Sequence, residues 1–228
     1  EVNQTLIGIV QAFASPDNNI RSQAESALNN TWITPENIDA LLIFLCEQAA
    51  YSSDVTLSAL SAVLFRKLAI RAPPNSAKSL IAKNITNISQ TTLFSIRTIL
   101  LQGFLDPNRE NNIRHKLSDA IAECANEELP EWPELLESGF KIIADDTDAG
   151  SATDNSFKES CFRILSSAPH LINAVDFSMV IPLFEKGFTY DKNDDVKIAA
   201  VTAFVGYFKQ LPKSHWSKLG YLLPSLLN

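Results

Sequence analysis

One spacing recurs along this chain of 228 residues and limits what it can fold into more than any other feature. Ile20, Ala24, Ala27 and Leu28 stand at offsets 0, 4, 7 and 8. Ile113, Leu117, Ala120 and Ile121 repeat those offsets, as do Phe157, Cys161, Ile164 and Leu165, and again Val196, Ala200, Ala203 and Phe204. Such offsets place four side chains on one stripe of an α-helix. The helix openings match too: Asn19-Ile20-Arg21, Asn112-Ile113-Arg114 and Asp195-Val196-Lys197. An Asn or Asp caps each start, and the small alanines let a neighbouring helix approach closely.

From Ile20 to Val196 there are four steps of roughly 44 residues, inside the HEAT and armadillo period. No segment alternates apolar and polar residues long enough to read as a strand. The fold predicted is therefore all-α, a HEAT-repeat α-solenoid in which antiparallel helix pairs wind into a right-handed superhelix, forming one domain over residues 1–228. The spacing separates helical repeats from other folds more sharply than it separates HEAT from its relatives. Helix pairs are expected at 3–30, 35–71, 77–127, 131–168 and 173–210, with the first helix of a sixth at 214–228. The long third pair leaves room for an extra short helix at 77–88, and Pro35, Pro74 and Pro133 mark helix starts. The acidic stretch 144–155 holds no core residue and is expected to be a mobile inter-helix loop. Helices 55–70 and 196–208, apolar on nearly every side, are expected to be covered on several sides. The chain opens at Glu1 without Met and stops inside a helical pattern, so it is expected to be part of something longer. Its last segment offers Trp216, Leu219, Leu222, Leu223, Leu226 and Leu227 without a partner helix, which predicts fraying or self-association there.

Charge narrows the partners. Nineteen Lys and Arg against 26 Asp and Glu leave a formal net charge of -7. Such a surface gains nothing from phosphate backbones, which argues against nucleic acid, and it can steer basic proteins. No run approaches the roughly 18 apolar residues of a membrane span, and no signal-peptide core opens the chain, so no membrane partner is expected. Cys46, Cys124 and Cys161 lie far apart on apolar helical faces and read as reduced, buried thiols of a cytosolic or nuclear protein.

An inventory of chemistry finds no catalytic residues. His115, His170 and His215 are isolated, with no Cys or carboxylate at ligand spacing. Phosphate-binding glycine loops and nucleophile elbows are missing from the sequence. Asp145-Asp146-Thr147-Asp148-Ala149-Gly150 lacks the ligand order of a calcium loop. No enzyme activity, cofactor or metal is expected.

Leu129-Pro130-Glu131-Trp132-Pro133-Glu134-Leu135-Leu136 reads as a helix start, with Pro133 in the first turn and Glu134 at the positive end of the dipole. The Trp-Pro-Glu-Leu-Leu opening also resembles the importin-β (karyopherin-β) family of nuclear transport receptors. Ser22-Gln23-Ala24-Glu25-Ser26-Ala27-Leu28 and Leu60-Ser61-Ala62-Val63-Leu64-Phe65-Arg66-Lys67-Leu68 are similar to that family's amino-terminal repeats. The similarity extends over essentially the whole chain.

The resemblance implies a nuclear import receptor that shuttles between cytoplasm and nucleus. It would bind the GTP form of the GTPase Ran on its inner helices and Phe-Gly nucleoporins on its outer ones. Cargo with basic signals would be gripped mainly by repeats beyond this chain. Inner-helix positions facing away from the core stripe are the candidate Ran contacts. They are Ser22, Glu25 and Asn29, then Ser58 and Ser61, then His115, Asp119 and Glu123, and finally Glu159 and Arg163. Phe44, Phe94 and Phe140 are the nucleoporin candidates. A HEAT-repeat scaffold or adaptor without a GTPase partner is the alternative.

Overall fold

The computed structural model describes residues 2–69, 84–125 and 129–222, which form helices and turns with no strand among the described residues. The α-helices are α1 (Val2–Ala12), α2 (Asn18–Ala27), α3 (Ile38–Tyr51), α4 (Val55–Ala69), α5 (Asn84–Asn87), α6 (Gln90–Leu105) and α7 (Asn111–Cys124). They continue with α8 (Pro133–Ala144), α9 (Ala152–Ser167), α10 (Phe177–Phe188) and α11 (Asp194–Gln210). A π-helical turn at Leu28–Trp32 prolongs α2, and 3-10 segments lie at Pro169–Ile172 and Lys213–Leu222.

The helix starts are local chemistry. The first N–H groups of a helix have no partner within it, and short polar side chains supply one. Asp17 accepts from the Asn19 amide, Ser89 from Thr92, Ser151 from Asp154, Asp176 from Ser178, and Asn193 from both Asp195 and Val196. Pro133 occupies the first position of α8 as its spacing predicts.

The helices gather into two compact units, Glu1–Ala120 and Ile121–Asn228. In the first, α3 packs against both α4 and α6, and α1 packs against α2 and α4. The core there includes Leu41, Leu42, Leu45, Phe65, Ile96 and Leu100, all buried. Gly103 brings α6 onto α3: a β-carbon there would lie 2.5 Å from Ala50 Cβ and 2.8 Å from Ala50 Cα. In the second unit α9 and α11 lie side by side, with α10 against α11 and α8 against α9. Phe162, Phe184, Phe188, Phe204 and Tyr207 build its aromatic centre, with Phe184 and Phe204 edge to face at 5.3 Å. Burial raises the Tyr207 phenol above its ordinary pKa. All three cysteines are buried, and none of them is in a disulfide.

The stripes of α7, α9 and α11 pack largely as their spacing predicts: each of their residues is buried except Phe157, which is half-buried. The stripe of α2 does not. Ile20 is exposed and only Ala24 and Leu28 are buried, because the chief helical neighbour of α2 is α1, which covers one side. Nor are α4 and α11 enclosed all round: Val55 and Val63 on α4, and Ile198 and Val205 on α11, are exposed. Pro35 sits in a turn, and α3 begins at Ile38. The loop after α8 is shorter than composition suggests, because α9 begins at Ala152 and hydrogen bonds tie the residues before it. The segment after Gln210 is 3-10 and not α; Leu219 and Leu222 are buried in it, while the exposed Trp216 stacks on Phe208 at 4.9 Å. Pro74 and residues 77–83 of the expected extra helix lie outside the described residues, as do Leu223, Leu226 and Leu227. Asn84–Asn87 forms one short turn of helix there.

Candidate functional site

The candidate residues lie on the second helices of successive pairs, in both units. Ser22 and Glu25 on α2, and Asn29 in the π-helical turn that prolongs it, are exposed and lie off the side that Ala24 and Leu28 bury. On α7, His115, Asp119 and Glu123 follow one another at four-residue intervals and are all half-buried. On α9, Glu159 and Arg163 are half-buried and paired at 3.9 Å.

Ion pairs join α2, α4 and α7 in the first unit. Lys67 on α4 reaches Glu25 on α2 at 3.6 Å, and Arg66 on α4 holds Asp119 on α7 at 3.0 Å. The first pair is exposed on both sides and contributes little to stability, while the second is better shielded from solvent. Sequence reasoning missed both lysine and arginine; the four-residue step from Val63 to Lys67 was the available signal, because it continues the exposed side of α4.

Two candidates on α4 require correction. Ser58 is 1% exposed and Ser61 0% exposed, so neither faces outward. Ser58 Oγ donates to the carbonyl of Ala49 at 2.7 Å, sealing α4 against the end of α3. Both serines are small enough for close helix contact, and a polar residue type concealed this from the periodicity. The exposed face of α4 is instead Val55, Thr56, Val63 and Lys67.

The three aromatic candidates separate cleanly. Phe44 is buried and belongs to the core of the first unit. Phe140 is half-buried on α8. Phe94 is 68% exposed on α6, the opposite of what hydrophobicity would dictate for packing alone.

The histidines do not converge. His170 lies against the Ala125 carbonyl at 2.5 Å, and His215 meets the Phe177 ring edge-on at 5.8 Å. No helix among the described residues is long and apolar enough to cross a membrane.

Comparison with known proteins places this geometry. The family profile described as "IPO5-like, TPR repeats" matches residues 109–228, more than half of the chain. The chain belongs to the IPO5-like family of importin-β receptors. Importin subunit beta-3 of Saccharomyces cerevisiae is 60% identical over 228 residues, which is all of this chain and 20% of that protein. The crystal structure of Kap121p bound to RanGTP matches with a TM-score of 0.79 and 55% identity, covering 100% of this chain and 19% of Kap121p. Kap121p bound to Nup53p matches with a TM-score of 0.82 and 57% identity, covering 100% of this chain and 20% of Kap121p. The chain therefore spans about a fifth of the length of the relatives it matches. In this IPO5-like chain α7, α9 and α11 begin at Asn111, Ala152 and Asp194, steps of 41 and 42 residues. Those steps suit the HEAT period of about 40–47 residues better than the TPR period of about 34.

Sequence reasoning also passed over two buried cations. Arg114 shows no accessible surface, and Lys158 is 2% exposed. Arg114 donates to the carbonyls of Phe104, Asp106 and Arg109, which closes the end of α6. Its position next to Ile113 in the repeated Asn-Ile-Arg opening was the signal available.

Proposed function

We propose that this chain supplies the amino-terminal Ran-binding surface of a nuclear import receptor with no enzymatic activity of its own, shuttling between cytoplasm and nucleus. The observation that carries the reading is the match, along the full chain, to Kap121p in its complex with RanGTP. The surface itself suits the role. Successive second helices offer Ser22, Glu25, Asn29, Lys67, His115, Asp119 and Glu123, with Glu159 and Arg163 on α9, so each repeat carries a few polar positions. A GTPase differs between its nucleotide states in the switch regions, and a surface reading those regions discriminates by differential affinity.

Phe94 is the proposed nucleoporin contact on an outer helix, supported by its exposure and by the likeness to Kap121p bound to Nup53p. Basic cargo segments fit the net charge of -7, with their main grip in repeats outside this chain. One continuous solenoid over residues 1–228, rather than two independent domains, is part of the same proposal.

Titration of the chain with Ran in its GTP and GDP forms tests it. Binding confined to the GTP form is expected, and Glu25→Lys combined with Asn29→Lys weakens it without loss of helicity, since both positions are exposed. Equal binding of both nucleotide forms would favour a scaffold. Charge reversal at Asp119 and Glu123 is a poorer probe, because Asp119 is tied to Arg66 and both residues are half-buried.

A further inference from the structure

The last carbonyls of a helix lack intrahelical partners, and a cation is favoured there by the dipole. At the end of α8 two lysines from two different helices fill that role. Lys158 Nζ on α9 donates to the Asp145 carbonyl at 2.6 Å, and Lys186 Nζ on α10 donates to the Ala144 carbonyl at 2.5 Å. Each ammonium also meets a carboxylate: Lys158 pairs with Asp154, and Lys186 with Asp146 Oδ2 at 2.5 Å. Lys158 is buried to 2% exposure, and those partners take the place of water around its ammonium group.

Tyr190, between α10 and α11, completes the arrangement. Its hydroxyl lies 2.6 Å from Asp154 Oδ2 and 2.7 Å from Asn155 Oδ1, and it accepts the Gly150 amide at 2.9 Å. Lys158 Nζ stands 5.6 Å from the centre of the Tyr190 ring, within cation–π range. Gly150 adopts φ +92°, which brings its amide to the hydroxyl and which side-chain-bearing residues rarely adopt. Burial, then the Asp154 carboxylate, push the Tyr190 phenol up to about 12, so it stays protonated across the physiological range.

Lys158, Lys186 and Tyr190 line a pocket of about 270 Å³ together with Ile143, Phe162 and Val196. Residues 145–151 are exposed or half-buried and supply no core side chain. Polar ties from Lys158, Lys186 and Tyr190 reach that loop at Asp145, Asp146 and Gly150.

We propose that Lys186 and Tyr190 form a polar clamp that locks the α8–α9 pair to the α10–α11 pair, so that the two move as one body, with Lys158 bracing the Asp154 carboxylate that Tyr190 holds. The clamp spans two successive repeats, because Lys186 and Tyr190 belong to the later pair and every group they hold belongs to the earlier. It is independent of whether the chain binds Ran. Packing of the aromatic centre keeps the pairs adjacent, and the clamp adds directional bonds that fix their rotation.

Hydrogen exchange and spin-label distances on the 228-residue chain test the clamp, using Tyr190→Phe, Lys158→Met and Lys186→Met. Tyr190→Phe removes one oxygen and should raise exchange at the Gly150 and Ser151 amides at least tenfold, leaving helicity and the exchange of α3 and α6 unchanged. Labels at Glu137→Cys and Met179→Cys, both exposed, should give a narrow distance distribution that broadens in Lys158→Met and in Lys186→Met. Should Lys158→Met lose helicity, the other two variants decide. Wild-type exchange at Gly150 in Tyr190→Phe, together with unbroadened distances in Lys186→Met, would overturn the proposal.

Discussion

Arg114 has no accessible surface, and its three carbonyl acceptors belong to the end of α6 and the turn that follows. A buried charge survives when hydrogen bonds replace its hydration, and removing it strands the acceptors. Arg114→Met keeps much of the stem but leaves those carbonyls bare, and should cost about 3 kcal/mol, read as a lower urea midpoint. Ser58→Ala should cost about 1 kcal/mol, because the buried Ala49 carbonyl loses its donor. Ser22→Ala, on an exposed surface, should change stability by less than about 0.5 kcal/mol. The pair separates a serine that seals a helix contact from one free to meet a partner.

At the scale of helices, two glycines in similar surroundings of sequence have opposite expected responses. Gly8 in α1 has nothing within 4 Å of where a β-carbon would lie, so Gly8→Ala should stabilise by about 0.5–1 kcal/mol through helix propensity. Gly103 in α6 faces Ala50 backbone at 2.8 Å, so Gly103→Ala must part α6 from α3 and should cost about 1–3 kcal/mol. Thermal unfolding of the two variants beside the parent checks both signs. The caps respond to pH. Hydrogen bonds from the Ser178 hydroxyl, then its amide, hold the Asp176 carboxyl below its ordinary pKa, and the Thr147 amide, then its side chain, do the same for Asp145. A lowered folded pKa means stability that is complete above the ordinary carboxylate range and is lost as pH falls toward the lowered value. Asp176→Asn should flatten the acid side of the stability profile, measured by denaturant midpoints between pH 2 and 5, roughly the range where carboxylates titrate.

For the molecule as a whole, an excess of acidic over basic residues gives a net charge of -7 and sets how partners arrive. Association with a basic cargo peptide should slow steeply as salt rises, whereas its dissociation should change less. Stopped-flow measurements at low and physiological salt read both rates. Nucleotide-selective binding of Ran should weaken in Glu25→Lys with Asn29→Lys by about tenfold, which corresponds to roughly 1.4 kcal/mol.

The helices and the stripes of α7, α9 and α11 were legible in the chain, because a 3.6-residue period acts within a few positions; the caps fall earlier than expected, at Asp17 and Asn193, so that Asn19, Asn112 and Asp195 lie inside their helices. The family was legible for the same reason: local motifs such as Trp132-Pro133-Glu134 carry it. What escaped were properties that depend on which neighbour a face meets. Ile20 lies outside the core because α1 covers only one side of α2, while Ser58 and Ser61 are buried because α4 presses on α3. Arg114 and Lys158 look like surface cations in sequence and are buried because carbonyls at the ends of α6 and α8 come within their reach. Periodicity ranks faces by side-chain chemistry, but burial is decided by the surface brought against each face, and that surface comes from residues distant in the chain.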